Sequence, residues 1–275
     1  MVWALPALLL LGLILYWQLI IAEGAYLGRR MVAWLYNRSA HIYDNIKQYN
    51  PDYEQWFLGV PLTRALALVP DPLVLDVATG TARLARTLLP QASFHGRMIA
   101  LDYSREMLRE AVKTTRPWSE RLTFLWQDAA VLPFPDDTFD AVSCLEALEF
   151  MPHPEQVLAE LVRVLRPGGI LLTTNRIGQQ ARLLPGHTYA PATFEALLHS
   201  LNLEMVRTQP WQEDYDLLWA VKPGAGRPVG MRRLPEILRC PRCGSPLRRE
   251  ENAFVCIARG RRYPIAEDGV IELAR

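Results

Sequence analysis

The stretch Leu73-Val-Leu-Asp-Val-Ala-Thr-Gly-Thr-Ala82 decides the fold. Its first five residues are a short apolar run of the length and composition of a buried strand. The run stops at small residues around Gly80, which lets the backbone turn sharply and approach a ligand. From Thr81 to Leu89 the apolar positions Ala82, Leu84, Ala85, Leu88 and Leu89 fall at helical spacing. Strand, tight turn and helix in that order form the opening unit of an α/β domain.

Outward from this unit the alternation continues. Met98–Leu101, Leu122–Trp126, Ala141–Cys144 and Ile170–Thr174 read as strands, and Glu106–Lys113 and Pro154–Arg166 as helices. Leu158, Leu161, Val162 and Leu165 line one face of the latter helix, and Gly168-Gly169 is read as its stop. Leu203–Gln209 and Asp216–Val221 read as an antiparallel pair at the sheet edge. The fold expected is a Rossmann-like α/β domain with a seven-stranded, mostly parallel sheet. Ligands of such sheets bind beyond the C-terminal strand ends. Acids stand there in order: Asp76 in the first turn, Asp102 after strand two and Asp128, followed by Ala129, after strand three. A helix start at the first turn favours a carboxylate, Asp102 can accept two ribose hydroxyls, and Asp128 an exocyclic adenine amine. A dinucleotide pyrophosphate would be repelled by Asp76. The ligand class indicated carries an amine, a ribose and an adenine.

The segments LVLDVATGTARLA, MIALDYSREMLREA and LTFLWQDAAVLPFPDDTFDAVSCLEALEFMPHPEQVLAELVRVLRPGGILLTT together resemble class I S-adenosylmethionine (SAM)-dependent methyltransferases, closest to the group containing small-molecule and quinone C-methyltransferases. The resemblance runs from about Tyr43 to Lys222; it departs from the family pattern at Ala78 and Ala82, where two glycines are usual. It implies SAM as cofactor. Asp76, Ala78 and Gly80 would hold its methionine part, Asp102 its ribose, Tyr103 and Met107 would flank the adenine, Asp128 and Ala129 would meet the adenine edge, and Glu146 would stand at the mouth of the site. Candidate bases follow strands four and five: Glu149 and His153 first, with Glu146 and His187 behind them. A solvated Glu149 and a helix-capping His153 are the plain alternatives. No Asn-Pro-Pro-Tyr-like motif follows strand four and no Pro-Cys pair follows strand four or five, which disfavours base amines and pyrimidine carbons as acceptors. The stretch Asn175–Ala190, with Arg176, Arg182, His187 and Tyr189, is expected to cover a small-molecule or lipid-linked acceptor.

Two further segments flank this domain, here taken as 61–222. Trp3 to Ala22 holds no charged residue, and about 20 apolar residues suffice to cross a bilayer. A cleaved signal peptide would want a basic leader and an A-x-A site, and neither is present. Residues 1–22 are therefore expected to be a single transmembrane helix. Arg29, Arg30, Arg38 and Lys47 after it place the catalytic bulk in the cytoplasm. Residues 23–60, rich in tyrosine, tryptophan and arginine, suit either a helix on the membrane face or a lid over the domain.

Downstream, residues 223–237 read as a linker and 238–275 as a small β-rich module. Cys240-Pro-Arg-Cys243 has the spacing of a zinc knuckle, Cys256 follows, and Arg259 stands where a fourth ligand is expected. Cys240, Cys243 and Cys256 are thus candidate zinc ligands in an incomplete set, and a ribbon held by Leu247, Phe254, Val255, Tyr263, Ile265 and Ile271 is the alternative. The tail is similar to the zinc-ribbon-like domain that partners or fuses with methyltransferases. Cys144, alone in an apolar run, reads as a core residue. The net charge of +1 names no partner, but Arg227–Arg262 contains ten arginines and three glutamates, a surface for anionic lipid or nucleic acid. An RNA or protein methyltransferase and a non-catalytic SAM-binding scaffold are the alternative functions.

Overall fold

The computed structural model describes residues 4–228, 230 and 232–274. The chain opens with the helix α1 (Ala4–Tyr16), a π-helical turn (Trp17–Ile21) and α2 (Arg29–Ser39), followed by the short helices α3 (Tyr43–Ile46), α4 (Pro51–Glu54) and α5 (Val60–Ala65). The alternating domain then runs β1 (Leu73–Val77), α6 (Arg83–Leu88), β2 (Arg97–Asp102), α7 (Arg105–Thr114), β3 (Leu122–Trp126), β4 (Phe139–Cys144), α8 (Pro154–Val164) and β5 (Leu165–Arg176). It continues through α9 (Gly178–Ala181), α10 (Pro191–Ser200), β6 (Glu204–Gln212) and β7 (Tyr215–Val221). The module after it contains α11 (Leu234–Ile237), β8 (Leu247–Glu250), β9 (Ala253–Cys256), β10 (Arg262–Pro264) and β11 (Ile271–Glu272).

One sheet organises the molecule, in the order β11-β3-β2-β1-β4-β5-β7-β6. β1 lies between β2 and β4, parallel to both, and all five of its residues are buried, as a strand covered on both faces requires. Its alternation sends Leu73, Leu75 and Val77 to one core cluster and Val74 to the other. β7 runs antiparallel to β5 and β6 antiparallel to β7, so the expected edge hairpin is present. Strand order turns back between β1 and β4, and the crevice at such a reversal is where ligands sit.

Three expectations are corrected. The sheet has eight strands, not seven, because Ile271 and Glu272 of the C-terminal module pair in parallel with Leu125 and Trp126 of β3. Ile237, Leu238, Cys240, Leu247, Phe254, Cys256 and Tyr263 join the same core cluster as β1 and α8. Arg105 of α7 reinforces the joint by pairing with Asp268 at 2.8 Å and Glu272 at 3.4 Å. Second, Gly168-Gly169 does not stop a helix: α8 ends at Val164 and β5 begins at Leu165. The glycines lie in β5 beyond the register shift that follows Phe139–Leu165 pairing.

Third, among the described residues no helix is long and apolar enough to cross a membrane, so the transmembrane anchor and the single-pass membrane location are not supported. The apolar run divides in two. α1 has thirteen residues, about 20 Å at 1.5 Å per residue, against about 30 Å of hydrocarbon. The remainder turns π-helical and docks on the catalytic domain: Gln18 and Ala22 are buried, and the Trp17 indole donates to the Leu183 carbonyl at 2.9 Å.

Candidate functional site

Above the C-terminal ends of β1 to β4 lies a cavity of about 420 Å³, within the usual range for a small-molecule site. Its floor is the turn after β1. Ala78, Gly80 and Ala82 all adopt positive φ, at 55°, 54° and 62°. Glycine takes this conformation freely, whereas alanine is strained there by about 1–2 kcal/mol; that is the physical content of the two replaced glycines. Asp102, at the end of β2, fixes the turn by accepting the Gly80 amide at 2.8 Å and the Ser104 amide at 2.7 Å. Ser104 then caps α7 by accepting the Met107 amide.

Burial controls the acids. It pushes Asp102 up to about 6, against the opposing pull of the Ser104 and Gly80 amides. It also pushes Asp76 to about 6, although Thr79 and Ser143 both donate to it, at 2.6 and 2.7 Å. Burial would likewise raise Glu146, but Arg83 and Lys47 together hold it below the ordinary carboxylate value. Glu146 itself sits at φ 50°, its amide donating to Thr174 Oγ1 at 2.7 Å. Such strain in a buried, fully pinned residue beside a cavity is characteristic of a working site.

The residues expected from the sequence divide as follows. Ala78, Gly80, Asp102, Tyr103, Asp128, Ala129, Glu146 and His153 line the main cavity. Asp76 lines a smaller space beside it. Met107 and Glu149 are not among the lining residues: Met107 lies on the buried face of α7, and Glu149 is buried with its Oε1 accepting the Tyr215 hydroxyl. Burial raises Glu149 above its ordinary value. His187 lies under the N-terminal segment, its ring 4.7 Å from that of Tyr26.

Composition alone left residues 23–60 open between a membrane face and a lid; here they roof the cavity. Gly28, Arg29, Val32, Ala33, Tyr36 and Tyr43 line it. Polar contacts tie the roof down. Arg29 pairs with Asp128. Asn37 accepts from Ser104 Oγ at 2.7 Å, and Asp44 pairs with Arg86 at 2.6 Å. Lys47 meets Glu146 at 2.8 Å, and Glu54 pairs with Arg83. These are residues that sequence reasoning missed, since nothing in the spacing of a tyrosine- and arginine-rich helix tells which surface it faces.

In the C-terminal module, Cys240, Cys243 and Cys256 bring their sulfurs within 4.8 Å of one another. Hydrogen bonding from Ser245 lowers the Cys243 thiol to about 7, toward the thiolate a metal needs. The cluster suits a zinc ion on three corners, and among the described residues no further His, Cys, Asp or Glu joins the group.

Comparison with known proteins agrees with this anatomy. Residues 75–173 match the model of a methyltransferase domain and residues 232–268 that of Trm112p-like proteins. The demethylmenaquinone methyltransferase of Lysinibacillus sphaericus is 36% identical over 107 residues, covering 39% of this chain and 45% of its own length. The ubiquinone/menaquinone biosynthesis C-methyltransferase UbiE of Bordetella avium is 41% identical over 103 residues, covering 38% and 40%. The match therefore spans less than half of these relatives. Among solved structures, a SAM-dependent methyltransferase from Aquifex aeolicus superposes with a TM-score of 0.52 at 21% identity, covering 64% of this chain and 95% of that one. A complex containing the Haloferax volcanii Trm112 methyltransferase activator gives 0.53 at 21%, covering 69% and 98%. These likenesses show the fold. The chain thus carries a class I SAM-dependent methyltransferase domain followed by a Trm112p-like module.

Proposed function

We propose that this chain transfers a methyl group from SAM to a small aromatic acceptor of the quinone-precursor kind. One observation carries the reading: strand-end acids and an aromatic roof share a single cavity, with Asp102 and Asp128 at one part of its wall and Tyr36, Tyr43 and Phe150 at another. The names of the matched relatives, which act on demethylmenaquinone or in quinone biosynthesis, point the same way.

SAM, when bound, supplies a methyl group already activated on sulfonium. The protein's part is to hold, orient and dry. Asp102 accepts the ribose hydroxyls while keeping the Gly80 turn in shape. Asp128 exchanges Arg29 for the adenine amine, with Tyr103 and Ala129 beside it. Tyr36, Tyr43, Phe150 and Met151 exclude water around the acceptor ring. His153 is our candidate to take a proton from the acceptor, supported by its place in the cavity wall. Glu149, bound to Tyr215, acts as a positioning residue. Zinc, if bound by the three cysteines, would serve the module's structure.

The test is methyl transfer from labelled SAM by the full chain, offered a reduced demethylated naphthoquinone, RNA and a protein extract in parallel. Label entering the quinol, and lost in Asp102→Ala, is the expected result. Label entering only RNA or protein would overturn the acceptor class.

A further inference from the structure

Asp128 stands in the cavity wall with its two carboxylate oxygens differently engaged. Oδ1 accepts the Ala130 amide at 3.0 Å, a bond within its own turn. Oδ2 accepts Nη1 of Arg29, from the roof, 99 residues away in sequence. The same guanidinium lies over the ring of Tyr103, 5.6 Å from its centroid, and Arg29, Tyr103 and Asp128 all line the cavity. A planar group with N–H donors thus sits over an aromatic face while donating to a carboxylate. An adenine with its exocyclic amine offers the same combination, a flat π-face and an N–H donor.

The contact is placed to give way. The Arg29 side chain is 56% exposed and that of Asp128 23%, and ion pairs of such exposure contribute about 0.2–1 kcal/mol. Arg29 opens α2 beside Arg30, with no acid in the first turn, so a cation stands at the positive end of the helix dipole. Gly28, just before it, adopts φ 87° and ψ 164°, a region open to glycine almost alone. A Cβ there would meet nothing within 4 Å, so the chain's path requires the glycine and space does not. Further along, α2 is pinned independently. Asn37 accepts from Ser104 Oγ and from the Glu106 amide, and the Tyr36 hydroxyl donates to Glu23 at 2.7 Å. Arg29 can therefore leave Asp128 while the rest of α2 stays in place.

We infer that Arg29 is an internal competitor of the cofactor: its guanidinium takes Tyr103 and Asp128 Oδ2, and the adenine must displace it to bind. The inference rests on the SAM-dependent reading above, in which Tyr103 and Asp128 receive the adenine. Each binding event then breaks one exposed ion pair and frees one cation at the roof. The exchange holds affinity about two- to fivefold below what the cavity wall would otherwise give, the factor that a surface pair of this kind converts to.

The experiment is calorimetric titration of the full chain with S-adenosylhomocysteine, which carries the adenine and no net charge, at about 0.02 and about 0.5 M salt. Arg29→Gln, which removes the cation, binds about two- to fivefold tighter at low salt. Salt screens the competing pair, so the affinity of the unaltered chain rises toward that of Arg29→Gln, and the variant responds less. Arg30→Gln removes the neighbouring cation, which is not part of the cavity wall; it keeps the unaltered affinity and so separates competition from a general change in charge or folding. Unchanged or weaker binding by Arg29→Gln overturns the inference, weaker binding making Arg29 a clamp on the adenine. Equal tightening in Arg30→Gln, or an equal salt response in Arg29→Gln, overturns it too. Failure of the unaltered chain to bind S-adenosylhomocysteine sinks the SAM-dependent reading itself, a separate result.

Discussion

The Asp102 carboxylate accepts the Gly80 amide at 2.8 Å, so the end of β2 holds the turn that follows β1. The same carboxylate is held near pH 6 by burial, and this coupling gives a pH dependence with a definite sign. An acid whose folded value is raised binds more protons folded than unfolded. Between about pH 4 and 6 it therefore makes the free protein more stable as pH falls, and its destabilising contribution is complete only above about pH 6. Ligand binding runs the other way, because ribose hydroxyls donate to the ionised form. Affinity for S-adenosylhomocysteine should drop about tenfold per unit below pH 6, measured by titration at pH 7, 6 and 5. The Asp102→Asn variant should bind weakly and show a shallower dependence.

Ala82 precedes α6 in the left-handed conformation. Ala82→Gly should relieve that strain and raise stability by about 0.5–1 kcal/mol, after the glycine's greater freedom in the unfolded chain is subtracted. Urea denaturation reads the shift. A loss of stability would mean that the Ala82 methyl, fully buried, contributes more through packing than the backbone loses.

Asp140 is fully buried, accepts Arg166 Nε at 2.5 Å and takes the Leu73 amide at 2.8 Å, so it joins β4, β5 and the start of β1. Asp140→Ala leaves a buried guanidinium and a buried amide short of a partner, and should destabilise the chain by about 3–5 kcal/mol. Arg166→Met with Asp140→Leu, which removes both charges, should recover much of that loss. Thermal unfolding of the two variants separates the ion pair's charge from its packing.

His153→Gln tests the proton-acceptor role. It should lower kcat about a hundredfold with little change in KM. Equal kcat in the variant would leave the acceptor to lose its proton directly to water.

The C-terminal module should tolerate chelation. Its Leu247, Phe254, Cys256 and Tyr263 are buried in the same cluster as the catalytic core, so an incomplete thiolate set is not what folds it. Treatment with EDTA should leave the near-ultraviolet dichroism and unfolding temperature within a degree or two, on the order of a few tenths of a kcal/mol. A collapse of either would show that an ion completes the site.

The central strands were legible because each is an apolar run bounded by a turn: Leu73–Val77 and Leu122–Trp126 match residue for residue. The strand-end acids were legible through topology, since parallel strands deliver their C-terminal ends to one crevice. Ile271–Glu272 was not, because two residues carry no periodicity and their partner lies far upstream. The roof was half-legible: the amphipathic tyrosines of residues 25–57 suit a lipid face and a cavity equally. The apolar N-terminal run misled for a related reason. Hydropathy counts residues without knowing that Gln18 is buried and that the Trp17 indole finds a carbonyl on a folded surface.

During synthesis, β3 emerges long before its partner at residues 271–272. Until the ribosome has released those residues, the growing sheet presents an unpaired edge, the feature that invites strand exchange and aggregation. A late-arriving strand therefore closes an edge that β3 leaves open while the intervening residues are made. Premature termination or proteolysis within the module would yield a chain with an intact cavity and a sticky flank, prone to loss by self-association before any defect in chemistry is seen.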